Sequence, residues 1–215
     1  METFSGQEEH PRWNANLSRQ LLTAHVKNIT DTYKSATPEL LKGGHEWYER
    51  AHETATKIGG GDARKGAGII AAVSPLTDWA TNISHANSII KTGTAPTFDT
   101  NARKARRIHE GEDPDLVLGT HGKVPNFFAN IADPSNPHPV TIDTHAVNLA
   151  VGNPFVGQGG KRVGPKPEDA TKVFHSKGRY DHFVRAYKTA SEQLGVDIPN
   201  KVQATTWVTH RGAVQ

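Results

Sequence analysis

The sequence predicts an all-α protein. Three observations support this: apolar residues recur at helical spacing, N-cap residues precede the apolar segments, and glycine or proline marks their ends. In the first segment Leu17, Leu21, Leu22, Val26 and Ile29 fall near one face of a helix. The chain has 215 residues, enough for one compact domain or for two small lobes around a cleft.

Five helices are predicted in the N-terminal half. Thr37 is a suitable N-cap for the second helix, which ends at the Gly59–Gly61 run, and Gly93 ends the fourth. The third is small and apolar, as suits a buried helix, and the fifth is basic. The predicted ranges are Asn14–Ser35, Pro38–Ile58, Ala63–Val73, Asp78–Lys91 and Thr100–Glu110.

Six further helices are predicted in the C-terminal half. A turn at Gly119–Gly122 separates the first two, and Pro134–Pro139 and Gly152–Pro167 are loops, the second rich in glycine. Pro199 marks the entry to the last helix. The predicted ranges are Pro114–Leu118, Pro125–Ala132, Asp143–Val151, Ala170–His175, Tyr180–Leu194 and Val202–His210.

The amino-acid composition excludes several classes of protein and of binding site. The chain has no cysteine, which excludes disulfides, thiolate zinc sites and cysteine-ligated iron–sulfur clusters. It shows no signal peptide and no apolar run that could span a bilayer, so a cytoplasmic protein without a membrane partner is expected. The net charge of +3 is mildly basic, with clusters at Arg103–Arg107 and at Lys161–Lys166. These clusters suit a polyanion, or are solvated surfaces.

The most informative stretch runs from Gly119 to His145. Lys123 follows the tight turn bracketed by Gly119 and Gly122, and Asp143 follows an apolar, strand-like run just before a helix. An amine and a carboxylate are the two groups needed to cut a glycosidic bond in DNA. The alternatives are a surface lysine and an aspartate that only caps its helix.

Two segments resemble the helix-hairpin-helix DNA glycosylase superfamily, which includes endonuclease-III-type enzymes. One is L-G-T-H-G-K at Leu118–Lys123 followed by V-T-I-D-T-H at Val140–His145, similar to the family's hairpin, catalytic lysine and downstream aspartate. The other is I-A-A-V-S-P-L-T at Ile70–Thr77 with Asn82 five residues on, similar to the family's earlier helix-turn-helix. The segments occur in the family's order.

The resemblance implies a two-lobed helix-hairpin-helix glycosylase-like fold in a single domain. The central lobe would span about residues 62–132, with the hairpin at 115–131, and the terminal helices at 14–58 and 143–211 would form the second lobe. The implied activity is that of a DNA N-glycosylase, with or without AP-lyase activity, acting on a modified or damaged base rotated out of the duplex.

The family pattern is also the source of the expected site residues. Lys123 and Asp143 would be catalytic. The implied partner is double-stranded DNA, and the protein is expected to be a monomer. No cofactor or metal is required by this activity, although a monovalent cation could bind at the hairpin. The expected DNA-binding residues are Gly119, Thr120, His121, Gly122, Lys161 and Arg162. The base pocket or cleft is expected to include Ser74, Pro75, Leu76, Thr77 and His145.

The sequence departs from the family at two places. The family's turn glycines are usually two apart, whereas Gly119 and Gly122 are three apart, and Pro75-Leu76 replaces the polar pair that probes the DNA stack. A weaker similarity links the chain to a phage branch of this fold that modifies thymine, which would place it in the host cytoplasm. A base-modifying transferase and a non-catalytic DNA-binding protein are therefore alternatives.

Three other residues are open to two interpretations. Trp207, His210 and Arg211 could line the cleft or belong to a packed terminal helix with a polar end. Trp79 is expected to pack beneath the Ser74–Asp78 turn, because a single indole in a helix is usually a core residue.

Overall fold

A computed structural model describes residues 15–152 and 177–212. Within these ranges every regular element is a helix, which confirms the all-α class. The predicted helix at Ala170–His175 lies outside the described residues. The described helices are α1 (Ala15–Lys34), α2 (Pro38–His45), α3 (Trp47–Ile58), α4 (Ala63–Val73), α5 (Trp79–Thr92), α6 (Asp99–His109), α7 (Pro114–Leu118), α8 (Lys123–Ala132), α9 (Thr144–Ala150), α10 (Lys177–Leu194) and α11 (Pro199–Arg211).

Five helices begin at a side-chain N-cap, as the sequence favours. In each, an oxygen of the capping side chain accepts a hydrogen bond from a backbone N–H of the first turn, which satisfies a donor that has no partner inside the helix. The capping residues are Thr37 of α2, Asp62 of α4, Asp78 of α5, Asp113 of α7 and Asp143 of α9.

The prediction of one continuous helix over Pro38–Ile58 is wrong. The chain forms two helices there, α2 and α3, which are separated at Glu46. The cause of this break is a contact between two helices that are distant in sequence. A Cβ added to Gly44 would lie 2.4 Å from the Thr205 backbone, so α2 approaches α11 at a distance that only glycine allows. The break lets α2 pack on α11 while α3 turns to pack on α4 and α8.

One hydrophobic cluster is centred on α4. Every residue of this helix from Gly66 to Val73 is buried, and α3, α5, α6 and α8 pack around it. The closest approach is at Gly66, where an added Cβ would lie 1.8 Å from the Ala55 carbonyl oxygen of α3. The cluster includes Tyr48, Ala51 and Ala55, so α3 packs mainly on α4 and α8, and it also contacts α11.

A second cluster joins the terminal helices. It consists of apolar side chains from α1, α9, α10 and α11 with Val140 and Ile142. It also contains a buried histidine pair, in which His25 Nδ1 lies 3.0 Å from His182 Nε2. Burial, reinforced by His182, lowers the pKa of His25 to about 4. None of the described helices has the length and apolarity that a bilayer span requires.

Candidate active site

The site is a cavity of about 330 Å³ bordered by elements of both clusters. Its volume is at the lower end of the range of about 300–1,000 Å³ for small-molecule sites, which suits one small heterocycle. The lining combines aromatic rings with a few polar groups. The lining residues are Trp47, Tyr48, Ser74, Leu76, Thr77, Asp78, Trp79, Asn82, Lys123, Phe127, Thr141, Asp143, Thr144, His145, Gln203, Ala204, Trp207 and Arg211.

One side of the cavity is aromatic. Trp47 of α3 contacts three rings from three other helices, with centroids 5.1 Å from Trp79, 6.1 Å from Phe127 and 6.4 Å from Trp207. The guanidinium carbon of Arg211 lies 4.7 Å from the centroid of Trp207, a cation–π contact. The planes of Trp79, Phe127 and Trp207 are inclined to that of Trp47 by 62°, 36° and 60°, so the side presents both ring faces and ring edges against which a planar heterocycle can pack.

Lys123 reaches the cavity from the start of α8. The turn before it contains Gly119 (φ 82°, ψ −174°) and Gly122 (φ 99°, ψ −170°), a backbone region that is essentially restricted to glycine. Gly122 precedes the first helical residue, so its conformation sets the direction in which α8 and Lys123 begin. Lys123 is half-buried and borders the cavity.

Asp143 is held by the segment before α9. Val140 and Ile142 are fully buried but pair with no strand in the described part of the chain; the Tyr180 hydroxyl donates to the Val140 carbonyl at 3.1 Å and accepts from the Ile142 N–H at 3.2 Å. Asp143 then caps α9 through Oδ1, 2.7 Å from the Ala146 nitrogen. The strand-like run is therefore an extended segment clamped by a tyrosine, and it delivers the carboxylate to the cavity.

Lys123 and Asp143 share an electrostatic neighbour in His145, which also lines the cavity. Burial lowers the pKa of His145; the Asp143 carboxylate opposes this shift, and the Arg211 and Lys123 charges reinforce it. Burial likewise lowers the pKa of His210, and His145 adds to the effect. Both imidazoles therefore favour the neutral form near pH 7, so neither neutralises Asp143 as a histidinium would.

The Asp143 carboxylate also acts on three buried phenols. Burial raises the pKa values of Tyr48, Tyr180 and Tyr187 far above the ordinary tyrosine range, and the negative charge of Asp143 contributes to each increase. The carboxylate thus lies within electrostatic range of three phenols that stay neutral near pH 7.

Most of the predicted pocket residues border this cavity. Ser74, Leu76, Thr77 and His145 line it, whereas Pro75 does not. Leu76 has φ of 64°, which is unusual for a residue other than glycine, and its side chain is 89 % exposed at the cavity edge.

The predicted DNA-binding residues fall into two groups. Gly119, Thr120, His121 and Gly122 form the turn before α8, and the backbone N–H groups of residues 120–124 make no hydrogen bond to any described residue. His121 faces α10, with Nδ1 3.9 Å from Asp181 Oδ1 and its ring against Tyr180. Lys161 and Arg162 lie outside the described residues.

Several lining residues were not predicted. Trp47, Tyr48, Phe127 and Gln203 reach the cavity from α3, α8 and α11, and nothing in their local sequence distinguishes them from core residues. Of the three C-terminal residues open to either role, Trp207 and Arg211 line the cavity and His210 does not. Within residues 15–152 and 177–212 no three histidine, aspartate or glutamate side chains are grouped as a metal site would require.

The fold and cavity together define an all-α protein with one described aromatic pocket that holds an amine and a carboxylate. The chain belongs to DUF7178, a family of unknown function whose model matches residues 13–214. No curated protein and no solved structure matches it.

Proposed function

We propose that this protein is a DNA N-glycosylase of the helix-hairpin-helix type that acts on a modified or damaged base. The observation that carries the proposal is that Lys123 and Asp143, at the starts of α8 and α9, border the same aromatic cavity. The two helices are separated by a proline-rich loop, and only the tertiary fold unites the two side chains. An amine, a carboxylate and an aromatic surface are the parts that cleavage of an extruded nucleoside requires.

The turn before α8 supplies the DNA contact in this proposal. Its N–H groups, which bond to no described residue, lie at the N-terminus of a helix, where the backbone dipoles favour an anion. A phosphate bound there would set the register of the duplex without reading its sequence. The target nucleotide then rotates into the cavity, where its base stacks on the aromatic side and its sugar lies between Lys123 and Asp143.

Asp143 and Lys123 have different roles in the reaction. The C1′–N bond breaks, its electron pair leaves with the base, and the base takes up a proton. The Asp143 carboxylate stabilises the positive charge that develops on the sugar. In its unprotonated form the Lys123 amine attacks C1′ through Nζ and passes a proton to the ring oxygen, whose departure from C1′ opens the sugar ring and leaves an iminium ion. Borohydride reduces this iminium to a stable covalent adduct.

The test incubates the protein with duplexes that each carry one candidate base, in the presence of borohydride. We expect an adduct with the wild type and none with Lys123→Ala. Lys27→Ala is the matched control, because Lys27 lies on α1 with its side chain 73 % exposed and does not border the cavity.

Three other outcomes are informative. Base release without an adduct supports a monofunctional enzyme that depends on Asp143. A retained base of increased mass points to the base-modifying class. Binding without either reaction, unchanged by Asp143→Asn, contradicts an enzymatic role and supports a DNA-binding protein.

A further inference from the structure

Arg211 presents a guanidinium group to the cavity from the last turn of α11. The group lies over Trp207, one helical turn earlier, with the guanidinium carbon 4.7 Å from the ring centroid. Arginine near the end of a helix can donate to the last backbone carbonyls, but this guanidinium forms no hydrogen bond with any described residue. Its side chain therefore stacks on an indole while its N–H donors remain available to an occupant.

The acidic side chains that border the cavity do not form an ion pair with Arg211. Hydrogen bonds from Thr81, with a smaller contribution from the Arg211 charge, lower the pKa of Asp78. In the described chain, however, no carboxylate oxygen lies within 4.0 Å of the Arg211 guanidinium nitrogens. Asp78 Oδ1 accepts from the Thr81 N–H at 2.8 Å, and Asp143 Oδ1 accepts from the Ala146 N–H at 2.7 Å. An occupant with oxygen acceptors can therefore bind the guanidinium without breaking an ion pair of these residues.

A phosphate matches this guanidinium better than the edge of a base does. Arg211 is half-exposed, so it borders the cavity where the cavity opens to solvent. A nucleotide that rotates into a pocket enters with its base first, and its phosphates stay with the DNA backbone at the opening. The planar fork of arginine can donate two parallel hydrogen bonds to the oxygens of one phosphate.

We infer that Arg211 binds a phosphate next to the extruded nucleotide and holds the DNA backbone at the opening of the cavity. This inference rests on the proposed function, because it takes the partner to be DNA. It adds a second backbone contact to the one proposed for the turn before α8. The turn would set the register of the duplex, whereas Arg211 would hold the one nucleotide that leaves the duplex.

The test measures equilibrium binding to duplexes that the proposed reaction cannot alter. Each duplex carries one central tetrahydrofuran residue, a stable nucleotide analogue without a base. One form has natural phosphates throughout, and two others carry a single uncharged methylphosphonate, on the 5′ side or on the 3′ side of that residue. We expect the wild type to bind one of the two methylphosphonate duplexes about 10- to 100-fold more weakly than the natural one, because a charge-assisted bond is lost.

Arg211→Met keeps an unbranched side chain against Trp207 but removes the charge and the donors. It should bind the natural duplex about 10- to 100-fold more weakly than the wild type does, and the methylphosphonate should then cause no further loss. The slope of log K against log salt should be shallower by about 0.9, the value for one phosphate contact. Arg103→Met is the matched control, because Arg103 is exposed on α6 and does not border the cavity. It should keep the full methylphosphonate penalty.

Thermal unfolding and a second variant separate binding from folding. The Tm of Arg211→Met should stay close to that of the wild type, because the guanidinium makes no hydrogen bond within the described chain. Arg211→Lys keeps the charge without the planar fork, so it should show a smaller methylphosphonate penalty than the wild type. If Arg211→Met does not fold, the penalty measured for Arg211→Lys decides, and an undiminished penalty refutes the inference.

Equal affinity of the wild type for all three duplexes, or a full penalty in Arg211→Met, overturns the inference. If the wild type binds none of the duplexes, the inference and the proposed function fail together. If the wild type forms the Lys123 adduct while Arg211→Met keeps the penalty, only the inference fails. A penalty that depends on Arg211, in a protein that releases no base and forms no adduct, would uphold the inference while the proposed glycosylase activity fails.

Discussion

The two sides of the cavity are built in different ways. On the aromatic side, Trp47 contacts Trp79, Phe127 and Trp207, each from a different helix, so the surface exists only when four helices are packed. On the polar side, Lys123 and Asp143 lie at helix starts whose geometry is largely local, because a glycine turn and an N-cap set it. Substitutions of the Lys123 and Asp143 side chains should therefore alter chemistry with little effect on stability, whereas changes on the aromatic side should affect binding and packing together.

The largest expected effect is at Asp143. In Asp143→Asn the carboxamide still caps α9, because asparagine is as good an N-cap as aspartate, so the free energy of unfolding should barely change. The charge that stabilises the sugar cation is lost, and single-turnover base release should fall by about 10²- to 10³-fold. Asp62→Asn makes the same exchange at the N-cap of α4 and should keep full activity. Undiminished release by Asp143→Asn would remove the carboxylate from the mechanism.

An intermediate effect is expected on the aromatic side. Trp79→Leu removes a half-buried indole that packs against Trp47, and a base that stacks on it should bind more weakly by about 1–3 kcal/mol. Fluorescence anisotropy with a labelled oligonucleotide measures this loss. Phe98→Leu is the comparison, since Phe98 is 59 % exposed and does not border the cavity. Equal losses in the two variants would show that the aromatic surface has no special part in binding.

The smallest expected effect on function is at the glycine turn, where substitution acts mainly on stability. An added Cβ at Gly122 meets no atom within 4 Å, so Gly122→Ala acts through backbone strain at φ 99° and should destabilise the protein by about 1–3 kcal/mol. Gly60→Ala in the α3–α4 turn is similarly strained, at φ 68°, and is also unhindered. Urea unfolding should detect both changes, but only Gly122→Ala should weaken DNA binding. If Gly122→Ala and Gly60→Ala bind DNA with equal affinity, the turn before α8 does not make the phosphate contact.

The contrast between the two sides also explains what the sequence could predict. The Asp143 cap, the Gly119–Gly122 turn and the all-α class follow from signals within a few residues of each feature. The convergence of Trp47 and Trp207 does not, because the residues that surround an indole are set by the packing of distant helices. The break at Glu46 is of the same kind, since it depends on the contact of Gly44 with Thr205.

The segment from Val140 to Ile142 illustrates a further limit. A short, buried apolar run is consistent with a strand, and periodicity alone cannot identify the group that satisfies its backbone. Here that group is the Tyr180 hydroxyl, which lies far along the chain. Pairing with one side chain instead of a sheet leaves the chain free to turn into α9 immediately, and this places Asp143 at the cavity.

The position of the indoles gives the protein a built-in optical signal. Trp47, Trp79 and Trp207 all border the cavity, so the intrinsic emission of these indoles depends strongly on what occupies that space. Entry of a heterocycle should quench or shift that emission without any attached dye. The chain also has no thiol of its own, so a single introduced cysteine would accept a label at one chosen point and report the same event from outside.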